Sequence, residues 1–90
     1  MTGKLIYDRS EDRLAIAPDI KNDLDYMTYD YDNLYHLHCG DTLEVLRHII
    51  TDKVKDVWIP TRVEHSDDWY LIDLYKSGEI PQDLIVRTMR

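Results

Sequence analysis

Polar and apolar positions alternate along much of this chain with the period of two that marks strands with one face on a core. The cleanest stretch is 57–64, where Val57, Ile59, Thr61 and Val63 share one face and Trp58, Pro60, Arg62 and Glu64 the other. The first set is expected to face inward, and Pro60 predicts an edge position or a bulge because it cannot donate a ladder hydrogen bond. Lys4–Asp8 and Arg13–Ala17 flank the polar run Arg9-Ser10-Glu11-Asp12 and read as a hairpin, with Pro18 ending its second strand. Leu34–His38 and Thr42–Leu46 flank Cys39-Gly40-Asp41 and read as a second hairpin.

The pattern from His48 to Asp56 is mixed, compatible with a longer hairpin loop or a short helical turn. Beyond it, His65–Asp68 makes a turn, Trp69–Leu74 a strand, Ile80–Leu84 a single helical turn and Ile85–Met89 a closing strand. Six or seven short strands separated by turn signals predict a mainly β protein, a small antiparallel barrel whose closure removes exposed edges. Ninety residues suit one domain spanning 1–90.

Periodicity fails between Asp19 and Asn33, which could be a long loop or an irregular helix. Five Asp against the single Lys21 give this segment a charge of −4, more than half of the chain's −7. Such acidity disfavours direct contact with nucleic acid or an anionic membrane and suits a basic protein partner. Seven Tyr, two Trp and no Phe supply rings with a polar tip, suited to a core edge or an interface. One cysteine, Cys39, excludes an internal disulfide; with no apolar leader at the N-terminus, the expected setting is the cytoplasm.

The set Leu37–Leu46, Trp58–Glu64 and Asp68–Leu71, with Gly3–Asp8 and Leu84–Arg87, resembles a family of small uncharacterised bacterial domains also carried on mobile elements. The resemblance implies a compact SH3-like barrel and no known catalytic residues. Against that family, 19–32 and 48–56 look enlarged, which makes 19–33 an acidic insertion on a scaffold. Size, acidity and the mobile-element association also resemble anti-CRISPR proteins in general character.

The principal candidate site is therefore Asp23, Asp25, Tyr26, Tyr29, Asp30, Tyr31 and Asp32, with Glu64, Asp67 and Asp68 as a second acidic patch. Spaced carboxylates can replace phosphates in front of Arg and Lys, while Tyr rings supply hot-spot contacts. The expected activity is non-enzymatic: occupation of the DNA-binding surface of an RNA-guided nuclease. The alternative is a protein-binding module using an aromatic face of Trp58, Trp69 and Tyr70, with Tyr35 beside them. His36, His38 and Cys39, with His48 and His65, could be drawn as zinc ligands or as a Cys/His nucleophile. They lack paired zinc-module spacing and a positioned base, so no metal, cofactor or catalytic residue is expected.

Overall fold

Burial follows the period-two pattern. Gly3 and Leu5 are buried while their neighbours are not, and the same holds for Leu43 and Val45, and for Thr61 and Val63. The computed structural model describes residues 1–22 and 27–88. Their strands are β1 (Thr2–Asp8), β2 (Arg13–Asn22), β3 (Met27–Tyr29), β4 (Tyr35–His36), β5 (Thr42–Ile50), β6 (Val54–Ser66), β7 (Asp68–Leu71) and β8 (Ile85–Thr88). Neighbours run β3-β2-β1-β8-β5-β6-β7, with β4 on β2, and every ladder is antiparallel.

Within this order β2 and β5 are also linked through β4. β4 pairs with Ala15 and Ile16 of β2, and the Leu37 amide donates to the Leu14 carbonyl at 2.9 Å. The chain then bends at Gly40 (φ 93°) and continues as β5, which pairs with both β8 and β6. Ladders join β8 to β1, β1 to β2, β2 to β4 and β5 to β8, and the covalent chain from β4 to β5 completes the circuit, giving a small barrel-like sheet. The predicted hairpin across Cys39-Gly40-Asp41 is corrected accordingly. The two flanks do not pair with each other, because the bend sends each to a different neighbour.

Two other expectations change and an open one is resolved. β2 does not stop at Pro18; it continues to Asn22. The Pro18 carbonyl accepts from Asp30 N at 2.8 Å. A strand residue presents carbonyl and amide on one side, so the proline's missing N–H lies away from the β1 ladder. The predicted helical turn at Ile80–Leu84 is a non-helical turn with Asp83 at φ 69°, and no helix occurs among the described residues. The 48–56 stretch resolves as the end of a hairpin, in which β5 and β6 stay paired out to Ile50↔Val54. Pro60 does occupy an edge, since β7 joins the other side of β6 only from Val63 onward.

Ile16, Leu37, Leu43, Val45, Val63, Leu71 and Val86 fill the interior, with Trp69, Leu74, Tyr75, Ile80 and Leu84 packed round them. β1 leaves no room for a side chain at Gly3, where an added Cβ would stand 2.2 Å from the Ala17 carbonyl oxygen. That atom belongs to the backbone and cannot swing aside. Gly3→Ala should therefore destabilise the fold by about 1–3 kcal/mol, read as a lower urea midpoint with an unchanged slope. An unshifted midpoint would show that β1 can retreat freely from β2.

Candidate binding surfaces

The acidic segment is a hairpin and not a loose loop. β2 pairs with β3 through Asp19↔Tyr29, Lys21↔Thr28 and Asn22↔Met27, with a register shift at Ile20. Of the residues singled out from sequence, Asp23, Asp25 and Tyr26 lie outside the described residues. Tyr29 is half-buried, its ring edge-on to Tyr31 at 6.4 Å, and burial, aided by the Asp19 charge, raises its phenol pKa. Asp30 is committed to its own turn. One carboxylate oxygen accepts from Asp32 N at 3.0 Å and the other from Asn33 Nδ2 at 2.8 Å. Asp32 and Tyr31 are exposed.

The Tyr31 hydroxyl accepts from Lys4 Nζ at 3.3 Å, and that ammonium also lies 5.7 Å from the ring centroid. Lys4 pairs with Asp83 at 2.5 Å, which raises the lysine pKa.

The second patch is dispersed by its local bonds. Glu64 accepts from Arg62 Nε at 3.0 Å, and Asp68 accepts from its neighbour Trp69 N at 2.7 Å. Asp67 is exposed at φ 61° in the tight β6–β7 turn. β3 and β7 stand at opposite ends of the strand order, so the two patches do not merge along the sheet.

Much of the acidity has a conformational origin. Asp12, Asp67, Asp73 and Asp83 all adopt left-handed backbone, which short polar side chains tolerate best after glycine. Asp8 binds Ser10 N at 3.0 Å and Asp41 binds His38 N at 2.7 Å, each closing a turn. Aspartate spacing next to Ser, Gly and other turn formers was the available sequence signal for this role.

His36, His38 and His48 are each paired with a carboxylate, His65 packs on Trp69, and the four are not gathered together. His36 Nε2 lies 2.7 Å from Asp8 Oδ2, His38 Nδ1 lies 3.7 Å from Asp41, and His48 bonds Asp56. No group of three potential metal ligands occurs among the described residues, and Cys39 is exposed. No helix among them is long and apolar enough to cross a membrane.

The aromatic residues also divide. Trp58 lies beneath the Arg87 guanidinium at 4.1 Å, which is in turn held by Glu44 at 2.8 Å. Trp69 packs on the core with its ring edge-on to His65 at 4.8 Å, and Tyr70 follows it on the alternate face of β7. Tyr35 is exposed on β4. Sequence reasoning missed the groove that Trp69 does line. It measures about 600 Å³, and its walls include Tyr7, Arg9, Ile80, Pro81 and Asp83. Three separate chain segments build it, so no local motif announced it.

These strands define a small, all-antiparallel β domain with an acidic hairpin on one side and an aromatic groove beside β1. The chain belongs to a family described as a domain of unknown function, DUF5348, which matches residues 3–88. A protein from Ruminococcus gnavus with a crystal structure is 36% identical, with a TM-score of 0.63, over 98% of this chain and 100% of its own. No curated protein matches the chain.

The Asp8–His36 pair makes a pH-dependent clamp between the β1–β2 turn and β4. Bonds from His36 and then Ser10 hold the Asp8 pKa below its ordinary 3.8. A carboxylate depressed on folding stabilises the protein above its unfolded pKa, and that stability is lost as pH falls through the folded value. Asp8→Asn should therefore remove part of the acid limb of a stability–pH profile below about pH 4. Overlapping acid limbs for the variant and the wild type would exclude this role.

Proposed function

We propose that this domain is a non-enzymatic acidic inhibitor that works in the cytoplasm by docking on the basic surface of a nucleic-acid-handling protein. The most concrete form is an anti-CRISPR that occupies the DNA-binding surface of an RNA-guided nuclease, carried on an SH3-like barrel scaffold. The observation that supports it is the concentration of −4 of the chain's −7 into residues 19–33, with Tyr31 and Asp32 exposed just beyond β3. Clustered carboxylates can meet the guanidinium and ammonium groups of a cationic groove. Because Asp30 is consumed by its turn, the contact set narrows to Asp32 and Tyr31 together with the neighbouring Asp23, Asp25 and Tyr26 of the sequence.

Reversing Asp23, Asp25 and Asp32 to Lys while leaving Asp30 intact should raise the concentration needed to inhibit target cleavage by a guide-loaded nuclease at least about tenfold. Nuclease already holding target DNA should not capture the wild-type domain. Equal capture of DNA-loaded and free nuclease would rule out mimicry.

A second reading is favoured by the groove beside β1, where Tyr7, Trp69 and Pro81 offer an apolar wall for an extended, proline-rich peptide. Tyr7→Ala should abolish binding to such a peptide and leave nuclease inhibition unchanged; undiminished peptide binding by the variant would exclude this second reading.

A further inference from the structure

β6 is paired on one side only along most of its length. Its regular ladder with β5 runs from Thr42↔Arg62 to Ile50↔Val54, whereas β7 joins the other side from Val63 onward. Val63 fixes which way the backbone groups point. Its amide donates to the Asp41 carbonyl at 2.9 Å and its carbonyl accepts from the Gly40 amide at 2.8 Å. Strand residues alternate sides, so Lys55, Val57, Ile59 and Thr61 also address β5, while Val54, Asp56, Trp58 and Pro60 turn their backbone groups outward. Arg62 faces outward too, but its carbonyl accepts from Ile72 N at 3.1 Å and closes the row there. Among the described residues no backbone group pairs with this outward side from Val54 to Pro60.

The side chains along the edge are drawn back over the sheet. Trp58 lies under the guanidinium of Arg87, which comes from β8 on the far side of β5, and Asp56 bonds His48 of β5. β8 covers β5 only from Leu43 to Val45, so beyond that point β5 and β6 form a two-stranded arm. An open row of strand donors and acceptors is a template for another strand. Apolar surface lies beside it, Val54 being 70% exposed and Pro60 exposed as well.

We infer that the strand which fits is β6 of a second copy, the two edges pairing antiparallel about a twofold axis at Val57. In this register Asp56 and Trp58 of one copy exchange both backbone bonds with Trp58 and Asp56 of the other. The Val54 amide meets the Pro60 carbonyl, and the exposed Val54 side chain lies against the exposed Pro60 ring. Only the Val54 carbonyl, at the margin of the ladder, lacks a donor. Neighbouring registers fit less well. A twofold at Asp56 or Lys55 sets each of those charges against its own counterpart. One at Trp58 or Ile59 puts Pro60 opposite Asp56 or Trp58 and leaves a carbonyl unanswered inside the ladder.

Charge favours the same arrangement. Residues 47–57 carry +1 and the rest of the chain −8, and the pairing lays each arm alongside the barrel of the other copy. Each copy contributes the same edge, so the contact closes at two chains.

Amide exchange on the purified chain, followed by NMR at low and high protein concentration, tests the pairing without any nuclease. The amides of Val54, Asp56 and Trp58 should exchange freely in the monomer and gain about tenfold protection or more as concentration rises. Those of Lys55 and Val57, bonded to β5, should be protected at both concentrations. Sedimentation velocity should show dimers and nothing larger. Asp56→Pro deletes an outward donor and spares the β5 ladder, as the native Pro60 does, and should weaken the dimer about tenfold or more. Asp56→Ala loses the same carboxylate and the same bond to His48 but keeps the amide, and should dimerise as the wild type does. Matched thermal unfolding curves for the two variants verify the fold. A chain that stays monomeric, edge amides whose exchange ignores concentration, or an alanine variant as impaired as the proline variant overturns the inference. So does a monomer whose edge amides become protected only when an extended peptide of another sequence is added.

Discussion

The fold depends on one stretch of chain serving two ladders. Tyr35–Ile50 begins on β2, turns at Gly40 and continues between β8 and β6. Without that bend β4 could not cover Ala15 and Ile16 of β2 while β5 lies between β8 and β6, and that part of β2 would be a bare edge. With it, Leu37, Leu43 and Val45 from one continuous segment enter the same core, beside Ile16, Val63 and Val86. Gly40 has open space around it and is required only for its left-handed backbone, whereas Gly3 is required for room against Ala17.

The distribution of charge follows from the same economy of turns. Short strands need many reversals, and among the described residues four of them use aspartate in left-handed backbone and others use aspartate side chains bonded to nearby amides. The carboxylates used in this way stabilise the local chain and are less available to a partner. Asp32, just beyond β3, is exposed and is not used in this way. The β5–β6 arm, with two unpaired lysines among the described residues and two exposed aliphatics, is its opposite in character.

Strand identity was largely legible. Hydrophobic alternation marked β1, the first half of β2, β5, β6 and β8, and turn residues marked the β1–β2 and β6–β7 reversals. Strand partnership was not. Leu34–His38 and Thr42–Leu46 read as a hairpin because a Gly-Asp connection between apolar runs favours one locally, yet each flank gains more by pairing elsewhere. Pro18 was read as a strand end because the side of β2 that keeps its ladder cannot be known from β2 alone.

The candidate site divides along the same line. Exposure of Tyr31, Asp32 and Asp67 agreed with their polar neighbourhoods, but Asp30, Glu64 and Asp68 proved to be held by residues one to three positions away. The aromatic trio separated because Trp58 and Trp69 sit in different pairings, while Tyr7, Trp69 and Pro81 converged from three segments. By itself the sequence determined where most of the strands lie, which face of β6 is apolar and how charge is spread, since these follow from side-chain chemistry at short range. Only the tertiary structure decided which strands adjoin, which carboxylates stay available and which rings share a groove, because those depend on long-range ladders competing for the same backbone groups.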